Sequence, residues 1–276
     1  MKMKQNGIRF ALALFTAFSA CTAVHADDSL QTIRERGVIR VANTQASPPW
    51  SYLGDDNLPA GYDVAIAKEV AKRIGVAKVE FVADSFKNFV EGLKADKYDL
   101  VMNDVTPTEE RKKQVDFSSP YGVEQFYIFV REDNKTINSI KDMPSRSIGV
   151  TSGTSNESWA RKHMTTSDIR TYENGGLVFN DLAIGRVDGV LSSLFGGEKY
   201  KKTNNLPIKA VGEPLTYQLS APVLKIGRDS LREAVSKAVD EMVKDGTVDA
   251  YSKQWIGPDY HMTHGIQAAL TELAEE

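Results

Sequence analysis

Stretches that are apolar at most positions alternate along the chain with stretches whose apolar residues recur every three or four positions. The first pattern is typical of buried strands and the second of amphipathic helices. In the first part of the chain these patterns predict strands at 37–43, 78–82 and 98–102 and helices at 61–75 and 85–95. Strands that alternate with helices indicate an α/β fold with a largely parallel sheet.

A second unit of the same kind begins near Ser147. Its predicted elements are strands at 147–151, 169–172 and 187–191 and helices at 155–164 and 177–185. A last long amphipathic helix is predicted at 229–244, with Gly246 as its stop. The chain therefore divides into two α/β units.

The two joins between these units are extended, strand-forming stretches near 122–126 and 218–223 rather than low-complexity linkers. Two ordered strands that cross between units predict a hinge instead of a flexible tether.

The composition narrows the possible functions. The 276 residues are 41% hydrophobic and 26% charged, and the formal net charge is -3 with no block of basic residues. This argues against a nucleic-acid partner, whose phosphates require clustered Lys and Arg. One cysteine, Cys21, and four unpaired histidines provide no disulfide framework and no evident metal site, so no cofactor is expected.

The N-terminal segment 1–26 is typical of a secretory signal peptide. Basic residues precede an apolar run at 10–20 that is too short to span a bilayer, and Val24-His25-Ala26 fits the small-x-small cleavage pattern. Cleavage there would start the mature chain at Asp27, in the periplasm. The alternative is lipoprotein processing at Cys21, because residues 18–21 loosely resemble a lipobox.

Polar pairs follow two corresponding strands, one in each unit. Asn103-Asp104 follows the strand at 98–102, and Ser192-Ser193 follows the strand at 187–191. Ligands of open α/β sheets bind beyond the carboxyl ends of the strands. The two pairs are therefore expected to face each other across one cleft.

With these features the chain resembles the bacterial extracellular solute-binding proteins of family 3, the periplasmic binding proteins of polar amino-acid ABC transporters. The resemblance covers about 30–257, and its order and spacing are specific although each piece alone is weak. The segments that carry it are Ile39-Arg-Val-Ala-Asn43, Gly61-Tyr-Asp63, Thr106-Pro-Thr-Glu-Glu-Arg111, Asp116-Phe-Ser-Ser-Pro-Tyr121, Gly149-Val-Thr-Ser-Gly-Thr-Ser155, Gly185-Arg-Val-Asp188 and Lys253-Gln-Trp-Ile-Gly257.

The resemblance implies a two-lobed periplasmic binding protein fold of type II with two crossover hinge strands. Lobe 1 would comprise 27–122 and 222–276, and lobe 2 would comprise 123–221. It further implies a monomer that closes on a small carboxylate-bearing ligand, most simply an amino acid, and delivers it to an ABC-transporter permease in the inner membrane.

The resemblance assigns the ligand's α-carboxylate to Arg111, whose planar guanidinium matches a carboxylate with two parallel hydrogen bonds. It adds the hydroxyl of Thr106 and the strand-to-helix turn at 152–156. From this turn the expected contacts are Ser152, Thr154 and, as the preferred hydroxyl donor, Ser155. Two of these threonines have an alternative role, since Thr106 with Glu109 and Thr154 with Glu157 also form capping boxes.

Phe86 matches an aromatic residue that lies against the ligand side chain in the family, although its spacing from Phe89 would also suit a core position. Relatives that bind amino acids usually carry an Asp for the α-ammonium where this chain has Ser193. A buried ammonium without a counter-charge is costly. We therefore expect Asp104, with Asn103 nearby, to bind the ammonium from the first lobe.

Two other functions remain open at this stage. A periplasmic enzyme on the same fold, similar to cyclohexadienyl dehydratase, would need an acid or base in the cleft, and Asp104 is the strong candidate. A sensor-type binding module detached from a receptor is the third possibility. The tail at 261–276 extends beyond the family's usual ending, and Ile266, Leu270 and Leu273 are spaced to pack a helix on the first lobe.

Overall fold

The computed structural model describes residues 27–258 and 260–275, so the predicted signal peptide and Cys21 lie outside the described residues. The helices are α1 (Ser29–Arg36), α2 (Tyr62–Arg73), α3 (Phe89–Lys94), α4 (Glu109–Lys112), α5 (Ser155–His163), α6 (Gly175–Ala183), α7 (Leu194–Asn204), α8 (Asp229–Lys244), α9 (Thr247–Trp255) and α10 (Met262–Glu275). The strands are β1 (Val38–Asn43), β2 (Ala46–Ser47), β3 (Ser51–Leu53), β4 (Pro59–Ala60), β5 (Lys78–Ala83), β6 (Leu100–Val101), β7 (Asp116–Phe117), β8 (Gly122–Arg131), β9 (Ser147–Thr151), β10 (Asp168–Tyr172), β11 (Gly189–Ser193), β12 (Ile208–Ser220) and β13 (Val223–Leu224).

One five-stranded sheet organises the first lobe in the order β5-β1-β6-β13-β7. Strands β5, β1 and β6 are parallel, as the sequence pattern predicts, whereas β13 is antiparallel to both β6 and β7. The difference arises because β13 belongs to the chain returning from the second lobe, which enters the sheet from the opposite direction.

A second five-stranded sheet organises the second lobe in the order β10-β9-β11-β8-β12. Here β10, β9 and β11 are parallel, and β8 and β12 form an antiparallel pair beside them. That pair runs from Gly122 opposite Ser220 to Arg131 opposite Ile208, with an irregularity between Val211 and Thr216. Strand β8 leaves the first lobe and β12 returns to it, so these are the hinge strands.

Each lobe has its own apolar core. In the first lobe, Val41 and Ile66 are buried with Val235 of α8. In the second lobe, Ile128 and Ile148 are buried in a separate cluster. Two independently packed sheets joined by two strands give the two-lobed α/β architecture. Across the described part of the chain, no helix has both the length and the apolar character needed to cross a membrane.

The C-terminal helix α10 packs on the first lobe through Met262, Ile266 and Ala269, all of which are buried. The predicted stripe is wrong at Leu270 and Leu273, whose side chains are 41% and 55% exposed. The contact face is rotated because the helix lies close to β8 at Gly265. A Cβ atom at Gly265 would come within 2.7 Å of the Val123 side chain.

Candidate functional site

A cavity of about 90 Å³ lies between the lobes. Five of the residues predicted from the sequence line it, namely Phe86, Asp104, Thr154, Ser155 and Ser193. Ligand pockets usually enclose roughly 300–1,000 Å³, so a solute enters only if the lobes separate. A larger surface groove of about 600 Å³ between α7 and the end of α9 contains none of the predicted site residues.

Arg111 extends across the cleft. Its Nη1 donates to the backbone oxygen of Thr106 and its Nη2 to that of Gly153, each at 2.8 Å. The guanidinium carbon lies 5.3 Å from the centre of the Phe86 ring. Burial lowers the pKa of Arg111 to about 10, and the nearby charge of Asp104 opposes this effect. The side chain therefore remains a cation at neutral pH.

Thr106 and Ser155 meet across the cleft, with their hydroxyl oxygens 3.3 Å apart. Both hydroxyls donate to Oε1 of Gln218 on β12, the Thr106 bond measuring 2.9 Å. The predicted capping box at Thr106 is wrong, because Thr108 is the N-cap of α4 and accepts from the Arg111 amide. The Thr106 side chain is thereby available to the cleft.

The other residues of the strand-to-helix turn hold the turn itself. The hydroxyl of Thr154 caps α5 by accepting from the Glu157 amide at 3.3 Å, and it donates to the Thr151 oxygen at 2.7 Å. The Ser152 amide donates to the Tyr172 oxygen at 2.8 Å. Ser152 is also not among the described residues that line the cavity.

Asn103 lies beside Asp104 in the chain, but its side chain is directed toward the loop after β1. Its Oδ1 accepts from the Thr44 amide at 2.7 Å, from the Thr44 hydroxyl at 3.0 Å and from the Ser51 hydroxyl at 2.6 Å. These bonds position the loop, and they leave the acidic side chain of Asp104 as the member of the pair that lines the cavity.

Asp104 is half-buried at the cavity. Its backbone adopts a left-handed conformation with φ 51°, its amide donates to the Tyr121 hydroxyl at 3.3 Å, and its Oδ1 accepts from Ser220. Burial and the neighbouring carboxyl of Glu124 raise the pKa of Asp104 well above its usual range.

Glu124 is a site residue that the sequence did not reveal. It lies on β8, is only 2% exposed, and accepts a hydrogen bond from the indole nitrogen of Trp50. Burial raises the pKa of Glu124 to about 7, although hydrogen bonds with Asp104, Ser193 and Trp50 act in the opposite direction. A single charged residue within the stretch 121–130 was the available signal.

A third acid lies behind this pair. Asp63 is fully buried and accepts from the Tyr121 hydroxyl at 2.7 Å, whereas its Oδ2 has no hydrogen-bond partner among the described residues. Tyr121 thus connects Asp63 to the Asp104 backbone. Burial and the charge of Asp104 raise the pKa of Asp63 well above its usual range.

Ser193 and Phe86 complete the predicted set. Ser193 caps α7 by accepting from the Gly196 amide at 3.1 Å, and it lies beside Glu124. The Phe86 ring packs against Phe89 at 5.2 Å between ring centres and also lines the cavity. The short side chain of Ser193 leaves the negative charge of the site to Asp104 and Glu124.

The lobes are in close contact around the cavity. Ser85 of the first lobe donates to Glu173 of the second at 2.8 Å. Gly153 has φ 78°, and a Cβ atom there would lie 2.8 Å from the Cα atom of Lys87. The described conformation is therefore a closed one, and a residue with no side chain is required at this contact.

The profile of the family described as "Bacterial extracellular solute-binding proteins, family 3" matches residues 39–258. The "L-cystine-binding protein TcyJ" of Escherichia coli K12 is 34% identical over 231 residues, which are 83% of this chain and 86% of that protein. A solved structure described as an ancestral arginine-binding protein bound to arginine is 35% identical, has a TM-score of 0.77, and covers 80% of this chain and 99% of its own.

A further solved structure bears on the enzyme alternative. It is described as "the ancestral amino acid-binding protein AncCDT-1, a precursor of cyclohexadienyl dehydratase", is 32% identical with a TM-score of 0.77, and covers 83% of this chain and 99% of its own. Its description names a binding protein, as do those of the two relatives above. The solute-binding interpretation is thus confirmed over the dehydratase. The chain belongs to the bacterial extracellular solute-binding proteins of family 3.

Proposed function

We propose that the protein captures an amino acid in the cleft between its lobes and delivers it to the permease of an ABC transporter. The observation that carries this proposal is the charge distribution around the cavity. The guanidinium of Arg111 lies against the ring of Phe86, which lines the cavity, and the carboxyls of Asp104 and Glu124 line the cavity themselves. A zwitterion with a carboxylate at one end and an ammonium at the other matches this distribution.

The carboxylate end is Arg111 with Thr106 and Ser155. In the closed protein their donors contact the Gly153 oxygen and Oε1 of Gln218. These acceptors occupy the positions that a carboxylate would take. Because Thr106 and Ser155 come from opposite lobes, a carboxylate between them would favour closure.

Asp104 binds the ammonium of the ligand. In relatives that bind amino acids, this contact usually comes from an Asp at the position of Ser193. An ammonium removed from water requires a counter-charge. A ligand that converts a rare closed state into the dominant one needs about 5.5 kcal/mol of differential affinity. Contacts between the ligand and both lobes provide this differential affinity.

The proposed domain organisation is the one that membership of the family implies. Lobe 1 comprises 27–122 and 222–276, lobe 2 comprises 123–221, and 1–26 is a signal peptide that directs a monomer to the periplasm. Relatives are named as binding proteins for cystine and arginine, which makes these two amino acids the first candidates for this site.

The test is a thermal-shift screen of the mature chain from Asp27 against L-amino acids, dipeptides and organic acids that lack an amine. A solute at 100 times its Kd stabilises a protein by about 2.7 kcal/mol. We expect one or a few amino acids to raise the Tm and Arg111→Ala to abolish that shift. Lys112→Ala is the matched control, because Lys112 is an exposed cation on the same helix, paired with Glu109.

The proposal is wrong if no amino acid stabilises the protein, or if acids without an amine stabilise it as well as amino acids do. It is also wrong if Arg111→Ala responds in the same way as Lys112→Ala.

A further inference from the structure

We propose that Glu124 is a second ammonium-binding residue, and that Glu124 and Asp104 share one proton in the empty protein, which the ammonium of the bound amino acid displaces to solvent. This inference rests on the proposed function, because it requires a ligand that carries a cationic amine. It assigns a role to a hinge-strand residue that the family motifs do not identify.

Asp104 and Glu124 lie next to each other at the cavity. Asp104 follows β6 of the first lobe, Glu124 lies on β8, and both line the cavity. Glu124 is 2% exposed, and its carboxyl is within hydrogen-bonding reach of that of Asp104. Two adjacent carboxyls in a largely desolvated site cannot both ionise at little cost, so one proton between them is the stable arrangement.

The surroundings of the pair provide little compensation for a second negative charge. The neutral donors are the Trp50 indole and the hydroxyls of Ser193 and Ser220. The cation that acts on Asp104 is Arg111. The other titratable groups that face it are Asp63, Tyr121 and Tyr260.

The local charge count favours a ligand cation at this position. With both carboxyls ionised, Asp104 and Glu124 carry two negative charges and Arg111 carries one positive charge, which the proposed ligand carboxylate would neutralise. An ammonium restores part of the balance. The described residues contain no group of three His, Cys, Asp or Glu side chains placed to hold a metal ion, so an organic amine fits the pair better than a metal cation.

Binding exchanges the shared proton of the pair for the ammonium of the ligand. The empty pair is one carboxylic acid and one carboxylate, with a net charge of -1. Binding of an amino acid with its –NH₃⁺ group leaves both carboxyls ionised, each accepting from the ammonium, and one proton passes to the buffer. Binding is then linked to pH, and affinity rises with pH wherever the empty pair still holds the proton.

The expected pH window follows from the same environment. Burial raises the pKa of Glu124 to about 7. Wherever the empty pair still holds the shared proton, the association constant should rise about tenfold per pH unit, and it should level off once the empty pair has lost that proton. The ammonium of a free amino acid titrates only at more alkaline pH, and the guanidinium of Arg111 remains charged, since its pKa is about 10.

The experiment is isothermal titration calorimetry of the mature protein in two buffers with different ionisation enthalpies, at pH 6 and pH 8.5. L-cystine, L-arginine and any amino acid that gives a larger thermal shift are titrated separately. We expect release of about one proton at pH 6 and a smaller release at pH 8.5. In Glu124→Gln the release at pH 6 should be smaller than in the wild type, and the Kd at pH 8.5 should rise at least tenfold.

Two further variants make the result specific. Asp104→Asn should reduce proton release in the same way, because either amide removes the shared proton. Glu213→Gln removes an equal charge from an exposed position on the partner hinge strand β12, and it should leave both affinity and proton release unchanged.

The outcomes separate this inference from the proposed function. If amino acids bind without proton release at pH 6, or Glu124→Gln binds like the wild type, the inference is wrong and the proposed function stands. If no amino acid binds at any pH, both are wrong. Circular dichroism of Glu124→Gln and Asp104→Asn confirms folding, so that lost binding is not mistaken for unfolding.

Discussion

Nη2 of Arg111 donates a 2.8 Å hydrogen bond to the backbone oxygen of Gly153, and this bond joins the first lobe to the second. The donor stands on the motif helix α4, and the acceptor lies at the turn before α5. The residue proposed to bind the ligand carboxylate is thus also a contact that holds the closed lobes together. Substitutions at either end should therefore affect capture.

Arg111→Lys should weaken amino-acid binding by about 10- to 100-fold. A lysine keeps the charge but offers a single ammonium in place of a planar fork, so it cannot form two parallel hydrogen bonds with a carboxylate. Calorimetry measures the change. Arg161→Lys, an exposed arginine of α5 paired with Glu157, should bind like the wild type, and equal affinity in both variants would contradict the proposed carboxylate contact.

Gly153→Ala should weaken binding by reducing closure. Its Cβ atom would lie 2.8 Å from the backbone of Lys87 in the opposite lobe, and the left-handed backbone adds strain. Small-angle scattering with saturating amino acid should show a more open protein. Gly227→Ala is the matched control, since Gly227 has φ 83° but no atom within 4 Å of the added carbon. Equal effects in the two variants would assign the loss to backbone strain alone.

The empty protein should become less stable as the pH rises from about 4.5 to 7. Glu124 has a pKa of about 7 in the folded protein, against an ordinary value of 4.5. In this window the folded state binds more protons than the unfolded state, so the free energy of unfolding falls with pH, by about 3 kcal/mol over the range. Glu124→Gln should flatten the dependence and raise the Tm of the empty protein at pH 8. Chemical denaturation at several pH values measures both, and an unchanged slope in the variant would contradict this assignment.

Ile266→Ala should destabilise the protein by about 2–4 kcal/mol, because Ile266 is buried between α10 and the first lobe. Leu273→Ser changes an exposed residue of the same helix and should shift the free energy of unfolding by less than about 0.5 kcal/mol. Urea denaturation compares the two. Similar stabilities would show that α10 does not contribute to the core of the first lobe.

Local patterns in the sequence predicted most of the elements. The apolar stripe at 229–244 matches α8 (Asp229–Lys244), because the periodicity of a 16-residue amphipathic helix can be recognised within the segment itself. The position of Asp104 at the cavity could be predicted from the sequence, because polar residues at the end of a buried strand lie at the edge where ligands bind. In both cases the information lies within one short segment.

The parts that were missed depend on contacts between distant segments. Glu124 and Gln218 lie opposite each other on β8 and β12, and only that register brings the acid to Asp104 and the amide to Thr106. The competition between Thr106 and Thr108 for the helix cap was also decided at a distance. Thr106 forms its bonds across the cleft with Ser155 and Gln218, which leaves the cap to Thr108.

The placement of the charged groups fixes an order of events. Arg111 and Asp104 both belong to the lobe built on β1, and Glu124 follows Gly122 at the very start of the crossing strand. Two ionic contacts of the proposed site, Arg111 and Asp104, therefore lie on the wall formed by the first lobe, and Glu124 lies where the hinge strand leaves that lobe. A zwitterion can bind to the first lobe before the second lobe closes. The second lobe then contributes hydroxyl and backbone groups, which respond to the shape of the solute rather than to its charge.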